Sequence, residues 1–285
     1  FRQYASYKPS NVEWLGDVPS HWKVDRLRDI ALINSETLSS DTPNDYQLRY
    51  IDISNVNYNG VISFDAIETL EFENAPSRAK RITKAKDTIV SSVRPNLQAV
   101  CYINFDDTNL ICSTGFNVVR TRNEILDSRF LFYCLISDVS KDFFVSRANG
   151  VGYPAIGDYD FGSLSIAFPN KTEQTSIAAY LDQATANIDK VIATKQKQLE
   201  KLEQYKQSKI HECVTKGLNP DVTLKPSGID WIGEVPSHWK VWRLKDEAEY
   251  ILTGSTPSTS VSEYYDNGTI KWFAPSAAPA TGPTS

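Results

Sequence analysis

The sequence predicts an α/β domain, then one very long α-helix, then the start of a second domain that is cut short. Three observations predict it. Short β-rich runs alternate with turn residues over 30–168, a stretch from 170 to 217 carries no Pro or Gly between its ends, and a 22-residue segment near the start recurs 217 positions later. At roughly 100–200 residues per domain, a 285-residue chain holds one large domain or two smaller ones.

The recurring segment reads KPSNVEWLGDVPSHWKVDRLRD over 8–29 and KPSGIDWIGEVPSHWKVWRLKD over 225–246, identical at 15 of 22 positions. Five further positions exchange like for like, and only Asn11/Gly228 and Asp25/Trp242 differ in character. A 217-residue period is the size of a whole module, too long for a solenoid repeat. Only 39 residues follow Asp246, against 195 between Asp29 and Lys225, so a second unit is expected to be incomplete. The VPSHWKV core of the segment is expected to be a packing unit. Pro19 fixes a turn, Trp22 fills a notch, and the same neighbour, a long helix or an equivalent partner surface, is needed twice.

Strand character marks Gln47–Ile53, Val61–Phe64, Thr88–Val93, Leu97–Ile103 and Gly115–Arg120, all β-branched or aromatic between turn residues. Residues 124–146 carry apolar side chains at helical spacing and predict one amphipathic helix, with Phe161–Phe168 as a closing strand. The division expected is 1–169 for the first domain, 170–217 for the helix and 218–285 for the recurring segment and the start of a second domain.

The helix has clear ends. Asn170 with Glu173 predicts a capping box, and Gly217 with Pro220 closes the far end. About 46 residues at 1.5 Å each make it roughly 69 Å long. Its apolar stripe includes Ile177, Leu181, Ile188, Ile192, Leu199 and Leu202 at coiled-coil spacings of three and four, interrupted at Lys195. One small domain cannot cover such a stripe, so a second long helix is expected to pair with it.

Composition excludes several classes. With 41% hydrophobic and 23% charged residues the chain is globular, not disordered. Its longest apolar run, Phe130–Ile136, is far too short to span a bilayer, and the N-terminus has no signal-peptide core. Cys101, Cys112, Cys134 and Cys213 stand far apart without a CxxC, as expected of thiols in a reducing cytosol. Met is absent even at position 1, so a trimmed sequence is expected. There is no P-loop, no Asp or Glu followed two residues later by Lys as in restriction-type nucleases, and no Asn-Pro-Pro-aromatic tetrapeptide of amino-methyltransferases. His21 and His238 lack metal-ligand spacing and are expected to be structural, so no cofactor or metal is expected.

One charge feature stands out. Residues 30–168 hold 12 Lys/Arg against 17 Asp/Glu, yet Arg78, Lys80, Arg81, Lys84, Lys86 and Arg94 fall within 17 positions. A basic cluster on an acidic domain is the pattern of a local phosphate-contact surface, and Asn96 follows it closely. A solvated face explains the cluster equally simply. The Gly-rich loop Arg147–Pro154, with Asn149 and Tyr153, is a second candidate for reaching a groove. The net charge of −5 argues against a chain that coats DNA non-specifically.

These residues resemble a family. The opening KPSNVEWLGDVPSHWKV, the stretch DTIVSSVRPNLQAVCYI…LICSTGFNVVR, the helix start FPNKTEQTSIAAYLDQ and the recurrence at 225 are similar, in this order, to the specificity (S) subunits of Type I restriction–modification systems. The resemblance implies a target-recognition domain that reads half of a split double-stranded DNA sequence and a second, truncated one. It implies a conserved spacer helix that packs antiparallel on another. It also implies docked modification (M) subunits that methylate adenine from S-adenosylmethionine, and restriction (R) subunits that translocate and cleave. The S subunit is itself non-catalytic and cytoplasmic in that picture. A full member would carry a second recognition domain and a second long helix. The chain is therefore expected to be either a fragment or a half-subunit that forms a homodimer through the helix. The alternatives are a non-DNA coiled-coil adaptor with α/β end domains and an enzyme in its own right.

Overall fold

The computed structural model describes residues 4–56, 62, 67–122, 124–251, 256, 258, 260, 261, 264 and 265. It divides into two compact units, residues 1–196 and 197–285.

The first unit opens with a hairpin of β1 (Tyr7–Pro9) and β2 (Asp17–Pro19), followed by β3 (Lys23–Arg26), the single turn α1 (Leu27–Ile30) and β4 (Ala31–Ile33). Then come β5 (Gln47–Ile51), β6 (Glu68–Glu71), β7 (Ala79–Ile82), β8 (Thr88–Ser91), β9 (Val100–Tyr102), β10 (Leu110–Ser113) and β11 (Phe116–Thr121). Three helices and a strand complete the domain: α2 (Ser128–Ile136), α3 (Asp138–Arg147), α4 (Asp158–Gly162) and β12 (Ser165–Phe168). Two four-stranded sheets form, in the orders β6-β5-β10-β7 and β4-β11-β8-β9, and β12 pairs with β3. Among the described strands only β5 and β10 pair in parallel.

Strand alternation explains the layers. Successive side chains of a strand point to opposite faces. On β8, Ile89 joins a core with Ile51, Leu110, Cys112 and Phe116, while Val90 joins one with Phe130, Leu135, Phe143 and Phe161 from the helices. The second sheet is thus covered on both faces, which is why its strands read as continuous apolar runs.

Several expectations need correction. The helix over 124–146 is two helices: Ser137 is extended (φ −66, ψ 152), accepts from Ser140 N and caps α3. Phe161–Phe168 is a strand only from Ser165, after the turn of α4. Leu97–Ile103 is a strand only over Val100–Tyr102, since Pro95–Leu97 forms a 3-10 turn. Of Val61–Phe64, all but Ile62 lies outside the described residues, as does the Pro-containing C-terminal end.

The long helix α5 (Lys171–Lys216) runs for 46 residues between Asn170 and Gly217. Asn170 Oδ1 accepts from Glu173 N at 3.1 Å, one half of the capping box. Glu173 turns its carboxylate elsewhere, accepting from the Tyr4 hydroxyl (2.7 Å) and Trp22 Nε1 (3.2 Å) and meeting His21 Nε2 at 2.9 Å. Gln174 is fully buried and makes three bonds: it accepts from Asp127 N and donates to the Ile125 and Pro169 carbonyls. Asp182 adds Arg129 and Tyr133. The first turns of α5 are therefore fastened to the α/β domain. Ile177 and Leu181 pack on their own unit, whereas Ile188, Ile192, Leu199 and Leu202 are about three-fifths exposed. Among the described residues no helix is long and apolar enough to cross a membrane.

In the second unit Gly217 ends α5 in the left-handed region (φ 75), its N–H donating to Cys213 O. The hairpin β13 (Leu224–Pro226) and β14 (Glu234–Pro236) follows, then the turn α6 (Leu244–Glu247). The ring of Trp239 lies 3.5 Å from where a Cβ on Gly217 would stand. Trp22 thus bonds to Glu173 in the first turn of α5, while its counterpart Trp239 packs beside Gly217, just past the last.

Candidate nucleic-acid interface

The six cations of the basic cluster do not form one patch. Arg78 directly precedes β7 and Lys84 lies just beyond its end, so at about 3.3 Å per residue they stand about 20 Å apart. The neighbouring strands fix which loops share each end. At the Arg78 end, Arg78 O accepts from Thr114 N (2.8 Å), and Ser92 N donates to Gly115 O (2.8 Å). There too Ile156 N donates to Ser92 O (2.9 Å) and Arg94 N to Pro154 O (2.7 Å). At the opposite end Thr83 N donates to Leu110 O and Lys86 N to Ile103 O.

One rim of the sheets therefore gathers Arg78, Arg94, Asn96, Asn149 and Tyr153. The Arg147–Pro154 loop is pinched by paired bonds between Asn149 and Ala155 (2.8 and 2.9 Å), and Gly150 supplies the φ of 111 that the turn requires. The pinch leaves Val151 fully exposed and Tyr153 72% exposed. Arg94 lies 4.1 Å over the Tyr153 ring and donates to Gly152 O at 3.3 Å. Its backbone is left-handed (φ 50), a strained state for a non-glycine residue that here aims the side chain at the loop. A shallow groove of about 380 Å³ runs between them, with Asn96 and Val151 on its wall.

The rest of the cluster has other work. Lys80 sits 4.6 Å over the Phe72 ring. Arg81 is largely covered, 14% exposed at its side chain, with Asp158 at 3.9 Å. Lys84 pairs with Glu36 at 2.7 Å, and Glu36 also meets Arg120, which holds the buried Asp87 at 2.8 Å. The Lys84 bond, then the Arg120 bond, outweigh desolvation and hold the Glu36 carboxyl below its usual range. Lys86, exposed at φ 73, turns the chain at this far end.

Sequence reasoning missed Asp52 and Tyr50. Arg78 Nη2 donates to Asp52 Oδ2 at 2.6 Å, and the Tyr50 hydroxyl donates to the same oxygen at 3.2 Å. Bonding to Tyr50 and the charge of Asp52 push the Arg78 pKa up further, so it stays charged. Asp52 is 26 residues from Arg78, and only the β5–β10–β7 pairing brings them together.

Comparison with known proteins gives the same fold a context. The family described as Type I restriction modification DNA specificity domain matches residues 19–204. The MjaVIII specificity subunit of a Type I restriction enzyme from Methanocaldococcus jannaschii is 31% identical over 158 residues, 55% of this chain and 34% of that protein. The HindI specificity subunit from Haemophilus influenzae is 28% identical over 176 residues, 60% of this chain and 36% of that protein. The crystal structure of the HsdS subunit from Thermoanaerobacter tengcongensis superposes with a TM-score of 0.59 at 26% identity, over 74% of this chain and 53% of that one. The chain thus spans about a third of the length of these two relatives and half of the solved structure. With the family's match running from the first hairpin well into α5, this chain belongs to the Type I restriction modification DNA specificity domain family.

Proposed function

We propose that this chain reads one half of a bipartite double-stranded DNA target and scaffolds modification and restriction subunits, without catalysing a reaction itself. The observation that carries this reading is the convergence of Arg78, Arg94, Asn96, Asn149 and Tyr153 on one rim, around an exposed loop held by backbone bonds. Polar and cationic side chains on a rigid edge suit a groove, where base edges specify and phosphates set register. Lys84 and Lys86, at the other end, and the covered Arg81 are assigned to the fold. The family match disfavours the non-DNA adaptor.

The exposed stripe Ile188, Ile192, Leu199 and Leu202 is the surface for a second long helix, packed antiparallel, and a second copy of this chain can supply it. The acidic net charge fits a chain whose partner subunits add much of the phosphate contact. Methylome sequencing of cells that carry this chain with its modification subunit tests the reading. A bipartite methylated motif supports it, and the absence of any motif contradicts it. Light scattering that shows a monomer at micromolar concentration contradicts self-pairing.

A further inference from the structure

Arg78 differs from Arg94 in how it is held. Its side chain is 57% exposed, yet one Nη2–H is fixed on Asp52 Oδ2 at 2.6 Å, and Asp52 is only 23% exposed. The carboxylate is itself fixed. Tyr50, 5% exposed, donates to the same oxygen, and Asp52 N donates to Asn55 Oδ1 at 2.7 Å. The main chain is pinned as well, since Arg78 O accepts from Thr114 N.

Such an arginine is ill suited to clamp a phosphate. The Arg78–Asp52 pair is close to neutral as a unit, so it adds little to counterion release, the term that dominates backbone contacts. It is well suited to present a planar fork of donors in one orientation, since its guanidinium carries more N–H groups than Asp52 and Tyr50 engage. The base that takes two parallel donors from arginine is guanine, through O6 and N7 in the major groove.

We propose that Arg78 reads the guanine of a G·C pair in the target, and that Asp52 is the positioning residue that sets its fork. The inference rests on the DNA-reading function proposed above and adds to it a base and a residue.

Methylome sequencing of cells producing the full chain with its modification subunit tests both levels separately. The wild type is expected to yield a motif with an invariant G·C pair. Arg78→Lys keeps the charge and loses the fork, and Asp52→Asn keeps the shape and loosens the fork. Each is expected to relax that one position, with discrimination falling roughly 5- to 150-fold, while every other position stays strict. The strict remainder shows that the variants fold. Methylation that drops evenly at all sites in Arg78→Ala and is restored by Arg78→Lys, with no position relaxed, makes Arg78 a phosphate clamp and overturns the inference. Loss of the whole motif in all three variants makes the pair a support of the fold and overturns it too. A wild-type motif without G·C removes this inference alone, and no wild-type motif removes the function beneath it.

Discussion

The two copies of the recurring segment share a hairpin and, further on, a single helical turn with an Arg–Asp pair, Arg26–Asp29 and Arg243–Asp246, but not the strand between them. Their registers correspond pair for pair at the 217-residue offset: Tyr7, Lys8 and Pro9 face Pro19, Val18 and Asp17, and Leu224, Lys225 and Pro226 face Pro236, Val235 and Glu234. Asn11 and Gly228, which differ in character, both take positive φ (59 and 79), as do Gly16 and Gly233 (60 and 70). Ser10 and Ser227 each close the turn on the residue two positions on. Between the hairpin and that turn the copies part. Lys23–Arg26 is a strand paired with β12, and Leu27 after it is fully buried. Among the described residues no strand covers 240–243, and Leu244 is 78% exposed. The hairpin is thus written in local turn chemistry, whereas the strand and the buried leucine depend on what packs against them.

The largest break in this comparison comes from the leucines. Leu27→Ala is expected to destabilise the chain by about 2–5 kcal/mol, and Leu244→Ala by less than about 0.5 kcal/mol, as read from urea titrations. Equal effects would mean that the two segments share one environment. Next in size is the anchor to the helix. Glu173→Ala strips acceptors from Tyr4 and Trp22 and is expected to destabilise by about 1–3 kcal/mol, while the second hairpin, resting on Gly217, is unaffected.

The turns should behave alike. Gly16→Ala and Gly233→Ala each place a Cβ at positive φ and are expected to cost about 1–2 kcal/mol, within error of each other. The exchanges Asn11→Gly and Gly228→Asn are expected to stay within about 0.5 kcal/mol. A large difference between the copies would show that neighbours shape the hairpin after all.

A further small effect is a pH dependence confined to the first unit. The Glu36 carboxyl is held below its ordinary value by Lys84 and Arg120. A lowered carboxyl stabilises fully above its unfolded value and loses that contribution as pH falls through its folded value. Glu36→Gln is expected to lower stability at neutral pH by less than about 1 kcal/mol and to flatten the acid limb of urea midpoints measured below about pH 5. An unchanged limb would discount the ion network.

The same division between local and distant causes explains what was legible in the sequence. The helix over 170–217 was plain because Asn170, Gly217 and an unbroken run between them act locally. The break at Ser137 was missed, although Ser137 followed by Asp138 is a helix-start signal, because apolar spacing continued across it. The strand Ala79–Ile82 hid behind its own Lys80 and Arg81, whose charge suggested solvent, whereas Phe72 and Asp158 receive them. At the candidate interface Arg78, Arg94, Asn96, Asn149 and Tyr153 were named from type and loop position. That they share a rim, that Lys84 and Lys86 do not, and that Asp52 holds Arg78 follow only from strand order.

The rim is the central claim, and amide hydrogen exchange tests it most directly. The full chain with its modification subunits is measured with and without a duplex bearing the motif found by methylome sequencing. Slowed exchange is expected at residues 92–98, 114–115 and 147–155, with 84–87 at the opposite end unchanged. Protection centred on 84–87, with the 147–155 loop exchanging as freely as before, would contradict the account.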